Sequence, residues 1–494
     1  MKKIGFDNDA YLKKQSEHIL ERIGGLGSKL YLEFGGKLFD DYHASRVLPG
    51  FEPDSKVRLL KTMGDKAEIV IAINASDIVK SKLRGDLGIP YDADVLRLID
   101  AFRELGLFVG SVVITQYAGQ TAADVFMKRL EGLGVTTYRH YPIPGYPTSV
   151  PLIVSDEGFG RNEYIETSRP LVVITAPGPG SGKMATCLSQ LYHEHKRGVR
   201  AGYAKFETFP IWNLPLRHPV NLAYEAATAD LRDFNMIDSF HLEAYGKATV
   251  NYNRDVEIFP VVAAMFEYIY GTCPYKSPTD MGVNMAGYAI VDDEACREAA
   301  LDEIVRRYYR GLYDRRVGRA DDETVMKHEM VMHQAGIDAD RRKVVAPALA
   351  KAAATGEPAA AIELPDGAIV TGKTSALLGA SSAALLNALK ALAGIPDDIT
   401  MIAPAVIEPI QRLKVDALGG RNPRLHTDET LIALAISAVT SGVAAKGLAQ
   451  LPKLEGCEMH SSVILSQVDS DMARKLGMNL TCEPEYETKR LYHK

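Results

Sequence analysis

Pro170-Leu-Val-Val-Ile-Thr-Ala-Pro-Gly-Pro-Gly-Ser-Gly-Lys183 begins as a compact apolar run and continues into a turn where glycine and proline alternate. A short run rich in β-branched residues, without polar alternation, is how a strand buried on both faces reads. Met184 to Lys196 then follows a helical pattern, so the order is strand, glycine-rich turn, helix. A bound phosphate needs converging backbone N–H groups, the positive end of a helix dipole and a cation. Gly178, Gly180, Gly182 and Lys183 supply those parts. The spacing departs from the Walker pattern, because Pro177 stands at its first glycine and Met184 at its hydroxyl position. Thr186, or Ser181 within the loop, is left to offer a hydroxyl to magnesium. The competing reading is a strand-to-helix turn that holds no ligand.

Outward from this unit, strand and helix alternate. Residues 9–24 carry Tyr11, Leu12, His18, Ile19, Leu20 and Ile23 at near-helical spacing and stop at Gly24-Gly25. Lys29 to Phe34, Ile69 to Ile73, Leu107 to Ile114 and Thr136 to Tyr141 read as strands, and Ala93 to Leu105 and Thr121 to Leu133 as helices. That alternation implies a parallel sheet with crossover helices. Tyr141-Pro-Ile-Pro-Gly-Tyr-Pro-Thr148 is too proline-rich for a central strand and marks a loop. From Pro210 to Gly318 the pattern turns helical and aromatic, with Asp293 to Tyr313 as one long helix. Alanine-rich Val344 to Ala354 leads into a linker, Thr355-Gly-Glu-Pro358. Beyond it, Ala368 to Thr371, Ser375 to Leu392, Thr400 to Ile402 and Asp428 to Ala449 suggest a second, smaller unit. The expected fold is therefore α/β and multidomain. Residues 1–209 form a mostly parallel sheet with the phosphate-loop-like strand-turn-helix, 210–340 a mainly helical subdomain, and 341–494 a smaller C-terminal α/β domain.

The 494 residues exceed what one core serves, and 46% hydrophobic residues suffice to fill several. Lys and Arg total 57 against 63 Asp and Glu, a net charge of -6 without a basic run, which excludes nucleic acid as the expected partner. Five cysteines at irregular positions suit reduced thiols and a cytoplasmic address. Met1-Lys-Lys-Ile-Gly-Phe-Asp-Asn-Asp9 lacks the apolar stretch of about 7–15 residues of a signal peptide, so secretion is not expected. Leu431 to Ala445, the most apolar window, is broken by Ser437, Thr440, Ser441 and Gly442 and is shorter than the roughly 20 residues of a membrane span. It reads as a buried helix, and no membrane partner is expected. Self-association into a homo-oligomer is the default for such a protein.

Several other motifs invite chemistry. His328 and His333 flank a glutamate, but five residues of separation place them about 140° apart around a helix, which disfavours a metalloprotease. His193 and His195 point in different directions and read as surface residues. Cys457, His460 and Cys482 lack a second close pair, so no metal site is assigned. Thr371-Gly-Lys-Thr-Ser375 follows a strand, and Thr374 or Ser375 is expected to cap the next helix. Asp292-Asp293 reads as an N-cap as well. Asn221, Glu225, Asp230, Asp238, His241, Glu243 and Asn251-Tyr-Asn-Arg-Asp255 suit either a pocket wall or an internal hydrogen-bond network.

Val199-Arg-Ala-Gly-Tyr-Ala-Lys205-Phe-Glu207-Thr208 resembles the second strand of synthetase-like phosphate-loop enzymes such as dethiobiotin synthetase. That likeness implies that Lys205 faces a substrate and phosphate pocket; a solvated strand end is the other reading. Over a longer span, Thr175 to Lys183, Cys187 to Lys196, Gly202-Tyr-Ala-Lys-Phe-Glu-Thr-Phe-Pro-Ile-Trp-Asn213 and Asn251 to Asp255 identify the chain as similar, end to end, to bacterial protein family 0371, domain of unknown function 1846. Some members of that family carry an ATP-dependent peptidase label, which neither a zinc motif nor a nucleophile arrangement in this sequence supports. Two functions are carried forward. One is a nucleotide-dependent, ligase- or kinase-like enzyme, using ATP with magnesium, in which Gly178, Gly180, Ser181, Gly182, Lys183 and Thr186 bind the cofactor. Lys205, Glu207 and Arg254 then act on a small polar substrate. The other is a non-catalytic sensor or assembly protein whose loop binds an anion.

Overall fold

The computed structural model describes residues 3–36, 38–39, 41–84 and 87–488. They divide into two compact units between Ala300 and Leu301. In the first, seven strands form one sheet: β1 Lys29–Phe34, β2 Ala67–Asn74, β3 Phe108–Thr115, β4 Thr136–Arg139, β5 Leu171–Thr175, β6 Ala201–Phe206 and β7 Gly282–Val283. Their order is β7-β6-β1-β5-β2-β3-β4, and every neighbouring pair is parallel. All five residues of β5 are buried, as are nearly all of β1 and β2, which is why these strands read as apolar runs.

Chain order across the sheet fixes where a ligand can sit. From β1 the chain builds outward through β2, β3 and β4, returns to insert β5 beside β1, then crosses β1 to add β6 and β7 on the other side. Crevices at the carboxyl ends of strands open where successive connections diverge in this way, and here that place is the β1–β5 junction. Register sets Tyr31 level with Val172 and Tyr203, and Glu33 level with Ile174 and Lys205. Side chains at one level of a parallel sheet share a face. On that face Tyr31, Val172, Ile174 and Tyr203 pack with Cys187 and Leu191 from the Lys183–Lys196 helix. Phe259, Val262 and Phe266 from the Asn253–Tyr270 helix complete the cluster.

The segment after β6 is mostly helical, holds a two-stranded ribbon of Asn235–Ile237 and Val250–Tyr252, and returns to the sheet as β7. Asp292 caps the Asp293–Arg316 helix, accepting from the Ala295 amide at 3.1 Å.

The second unit holds a four-stranded mixed sheet of β8 Ala359–Glu363, β9 Ile369–Lys373, β10 Glu458–Ser461 and β11 Asn479–Cys482, in the order β9-β8-β10-β11. β8 runs antiparallel to β9 and β10, whereas β10 and β11 are parallel. Met401 and Ile402, in loop, are buried in the core ahead of the helix that starts at Pro404. Two expectations are corrected here. The apolar window Leu431 to Ala445 is not one buried helix: it divides between Thr427–Ala438 and Gly442–Leu448, because the Ser441 side chain caps the second, and Ile432, Ile436 and Val439 are exposed. Ser375 does not cap the next helix, which begins only at Ala380; its hydroxyl accepts from the amides of Leu377 and Leu378 and closes a turn. Among the described residues no helix is long and apolar enough to cross a membrane.

Gly372 shows how closely this unit packs, since a Cβ there would collide with the backbone of Ala383 and Ala384 in the Ala380–Ala393 helix. Gly372→Ala must push that helix off β9. The expected loss is about 1–3 kcal/mol, read by urea denaturation of the full chain, against a few tenths for the same change at an exposed surface site.

Candidate functional site

The loop after β5 is shaped by glycine and by its neighbours. Gly180 and Gly182 have φ of +78° and +83°, the left-handed region that side chains rarely adopt. A Cβ at Gly178 would collide with the Tyr91 ring, and one at Gly182 would press on Thr115 at the end of β3. The loop carbonyls are tied outward: the Thr115 hydroxyl donates to Ser181 O at 2.8 Å and the Asn74 amide to Gly180 O at 3.3 Å. Ser181 and Thr186 are fully buried, and their hydroxyls donate to Gly178 O at 2.9 Å and Gly182 O at 3.0 Å. Both therefore staple the turn from within. Among the described residues the amides of Gly180, Ser181 and Gly182 meet no acceptor, and the first amides of the Lys183–Lys196 helix have none by construction. Converging free N–H groups at a helix start favour an anion.

Around this loop the structure gathers charge. Lys183 is partly buried at the head of its helix. Burial pulls its ammonium below the ordinary lysine range; the Glu33 carboxylate opposes that, while the Lys205 and Arg254 cations reinforce it. Lys205, at the end of β6, contacts Glu207 Oε1 at 2.6 Å and is bonded to Asp255 from the first turn of the Asn253–Tyr270 helix. Burial by itself would lower Lys205, but Asp255 and Glu207 override it and raise the ammonium well above its usual value. Two carboxylates thus share one lysine, and one of them has to give way. Burial, with the Asp255 charge alongside, pushes Glu207 up to about 8, against the pull of Lys205. Glu207 therefore holds a proton to higher pH than an ordinary carboxyl. Glu33 is 8% exposed and accepts from the Tyr203 hydroxyl at 2.7 Å. Arg254 projects outward, with both Nε and Nη2 2.6 Å from Asp233 carboxylate oxygens.

An aromatic group adjoins these charges: Phe209 and Tyr224 stack with centroids 5.0 Å apart, and Tyr252 lies 5.6 Å from Tyr224.

Lys183, Lys205, Glu207 and Arg254 thus share the carboxyl edge of one sheet face with the glycine loop. Other polar residues of the helical segment go elsewhere. Asn221 bonds both the amide and the carbonyl of Ile211, Asp238 accepts from Thr279, and His241 Nδ1 lies 2.9 Å from Ser277 Oγ. His193, read as a surface residue, is only 9% exposed and packs against Tyr192 and Tyr164, because its helix is covered on that side too. His328 is buried and His333 exposed on the Asp322–Ala335 helix. His460 contacts Thr481 and Glu483, and none of the five cysteines is in a disulfide. Among the described residues no cluster of His, Cys, Asp and Glu is arranged to hold a metal ion.

Sequence reasoning passed over Glu33, Tyr203, Asn74 and Thr115. For Glu33 a signal existed: it is the one charge inside Leu30-Tyr-Leu-Glu-Phe34, directly before Gly35-Gly36.

Comparison with known proteins supplies kinship. A family model described as domain of unknown function DUF1846, N-terminal, matches residues 4–336, and one described as domain of unknown function DUF1846, C-terminal, matches residues 340–492. The chain belongs to this family. It is 59% identical to UPF0371 protein str1377 of Streptococcus thermophilus (strain CNRZ 1066), over 100% of both chains. A UPF0371 protein of Streptococcus sanguinis (strain SK36) matches at 59% and one of Streptococcus pneumoniae (strain JJA) at 58%, each again over the full length of both chains.

The shared lysine makes a stability prediction. In Lys205→Met, Asp255 and Glu207 face each other without their cation. Glu207 titrates higher when folded than when unfolded, so its contribution is present at low pH and is lost as pH rises through about 8. Without Lys205 that loss deepens. The variant should lose about 3 kcal/mol or more at pH 9 and distinctly less at pH 6, measured by urea denaturation beside wild type.

Proposed function

We propose that this family member is an α/β enzyme that holds the phosphate of a nucleotide or small phosphorylated metabolite at Gly178–Lys183 and acts on it with Lys205 and Glu207. The observation that supports this most is convergence. Amides without internal acceptors, a desolvated lysine, a second lysine and an acid with an available proton all meet at the carboxyl edge of one sheet face.

The geometry suggests distinct roles. Lys205 is bonded to both Glu207 and Asp255 and stays charged, so it serves as a fixed cation for developing negative charge and not as a nucleophile. Glu207 holds a proton to higher pH than an ordinary carboxyl and is suited to give it to a leaving oxygen or nitrogen. Arg254, half in solvent and anchored on Asp233, is placed to meet the outer part of a ligand. If the ligand is ATP, magnesium arrives held by its phosphates, since Met184 takes the position of the usual hydroxyl and packs on the core. A sensor without turnover would share the loop but leave the Glu207 proton without a task, which favours the enzyme. Cysteines without disulfides fit a reducing, cytoplasmic setting, and self-association belongs to the same reading.

Thermal shift with pyrophosphate, ATP and ATP plus magnesium is the test. Saturation at a hundredfold excess over Kd is worth about 2.7 kcal/mol of stability, an easily read shift. Lys183→Ala should weaken binding at least about tenfold, the scale of one charge-assisted hydrogen bond. Binding should also weaken as pH rises through about 8, because ionised Glu207 then sets a negative charge beside the anion. No stabilisation by any of the three, or equal stabilisation of Lys183→Ala, refutes the reading.

A further inference from the structure

Glu33 is a buried carboxylate with too few partners. Among the described residues Tyr203 is its one hydrogen-bond donor, at 2.7 Å, and no salt bridge reaches it within 4.0 Å. A buried ionised carboxylate needs a cation and further hydrogen bonds to offset its desolvation. Lys205 lies level with Glu33 on β6, and Lys183, at the head of the helix after the loop, is within reach of the charges of Glu33, Lys205 and Arg254. Lys205 is already shared by Glu207 and Asp255, and Arg254 is committed to Asp233. Lys183 remains, and among the described residues it too makes no salt bridge. Register places Glu33 level with Ile174, the next-to-last residue of β5, on the face that carries the lysine's own helix.

We infer that Glu33 is a positioning residue for the anion loop: held in orientation by the Tyr203 hydroxyl on the sheet face that carries the lysine's helix, it is the resident counter-charge that Lys183 exchanges for an anion that enters. The inference rests on the loop being an anion site, but the Glu33–Lys183 coupling can be observed without any ligand. Groups that bear on the pair are Cys187 on the lysine's helix, Lys205 and Tyr203 on β6, Glu207 beyond it, Arg254, and Tyr146. Lys205 and Arg254 are ion-paired, whereas Lys183 and Glu33 form no salt bridge among the described residues. An incoming phosphate offers the lysine two or three oxygens in the free space of the loop amides, where Glu33 offers attraction through the sheet edge without a direct bond. The exchange leaves Glu33 held by Tyr203 alone, so the carboxylate sets the threshold that an anion has to exceed and discriminates against weakly charged ligands.

The full-length protein is reductively methylated with 13C-formaldehyde, and the Lys183 resonance, assigned by its loss in Lys183→Arg, is titrated by NMR. In Glu33→Gln its midpoint should fall by about one pH unit or more, the scale for removal of a neighbouring opposite charge. Tyr203→Phe should move it the same way by less, and Glu33→Asp should return it toward wild type. Pyrophosphate affinity measured against pH should then decline from a correspondingly lower pH in Glu33→Gln. An unchanged midpoint in both Glu33→Gln and Tyr203→Phe overturns the inference, and Tyr203→Phe alone decides it if Glu33→Gln does not fold. A midpoint that moves in a protein that binds no pyrophosphate, ATP or phosphate upholds the Glu33–Lys183 coupling and removes the anion-site reading instead.

Discussion

Burial of both faces of the central strands is the constraint on which the rest depends. β5 lies between β1 and β2 and has no exposed residue, so nothing along its length can meet solvent or a ligand. A strand of this kind leaves only its ends accessible, and in a parallel sheet all carboxyl ends lie along one edge. Polar chemistry has to collect there. Lys205 sits one residue from the end of β6 and Glu33 one residue from the end of β1, while Asn74 and Thr115 close β2 and β3. The turn after Thr175 begins at the same edge, and the helix that opens the facing layer brings Asp255 to Lys205.

That edge also concentrates charge that the sheet interior cannot hold. Glu33, Glu207, Asp233 and Asp255 face Lys183, Lys205 and Arg254, one acid more than the bases can match. In a site of low dielectric such a surplus pushes carboxyl groups up, and Glu207 and Asp233 are both raised. Of the two carboxylates on Lys205, Glu207 is the deeper, with side-chain exposure of 8% against 19% for Asp255, and its burial is the larger cause of its shift.

What could be read in the sequence followed from how local each signal was. The strand-turn-helix at Leu171–Lys196 was legible because an apolar run, positive-φ glycines and a helical period lie consecutively in the chain. β7, only two residues long, carries no periodic signal, and its place beside β6 is decided by packing. β10 reads Glu458-Met-His-Ser461, which looks like loop until Arg342 is seen to bond Met459 O and Asn479 O from across the sheet. In the site, Lys205, Glu207 and Arg254 stood out as charges near recognisable motifs. Glu33 lies 141 residues before Ile174 in the chain, and only the register that pairs their strands gives its charge a meaning. The cap at Asp292 forms, but the one expected at Ser375 does not, for a related reason: the composition was right, yet the next helix, whose Ala384 packs over Gly372, starts five residues along at Ala380.

The departure from the Walker pattern has a physical logic of its own. At the position where a hydroxyl would face a magnesium ion, Met184 turns an apolar side chain toward the core cluster on the lysine's face of the sheet. Thr186 and Ser181 are spent on loop carbonyls, and Thr115 reaches across from β3 to do the same. Ser181, Thr186 and Thr115 thus stabilise the turn's shape, while among the described residues the loop leaves open the amides of Gly180, Ser181 and Gly182. Backbone amides are rigidly placed and cannot be titrated, so the tunable part of the loop reduces to one side chain, Lys183. Its charge is governed in turn by a desolvating helix start, two repelling cations and the single attracting carboxylate of Glu33. If the loop holds an anion as proposed, its response to that charge is set by Glu33 and Lys205 of the sheet and by Arg254 of the facing helix as well as by the loop itself.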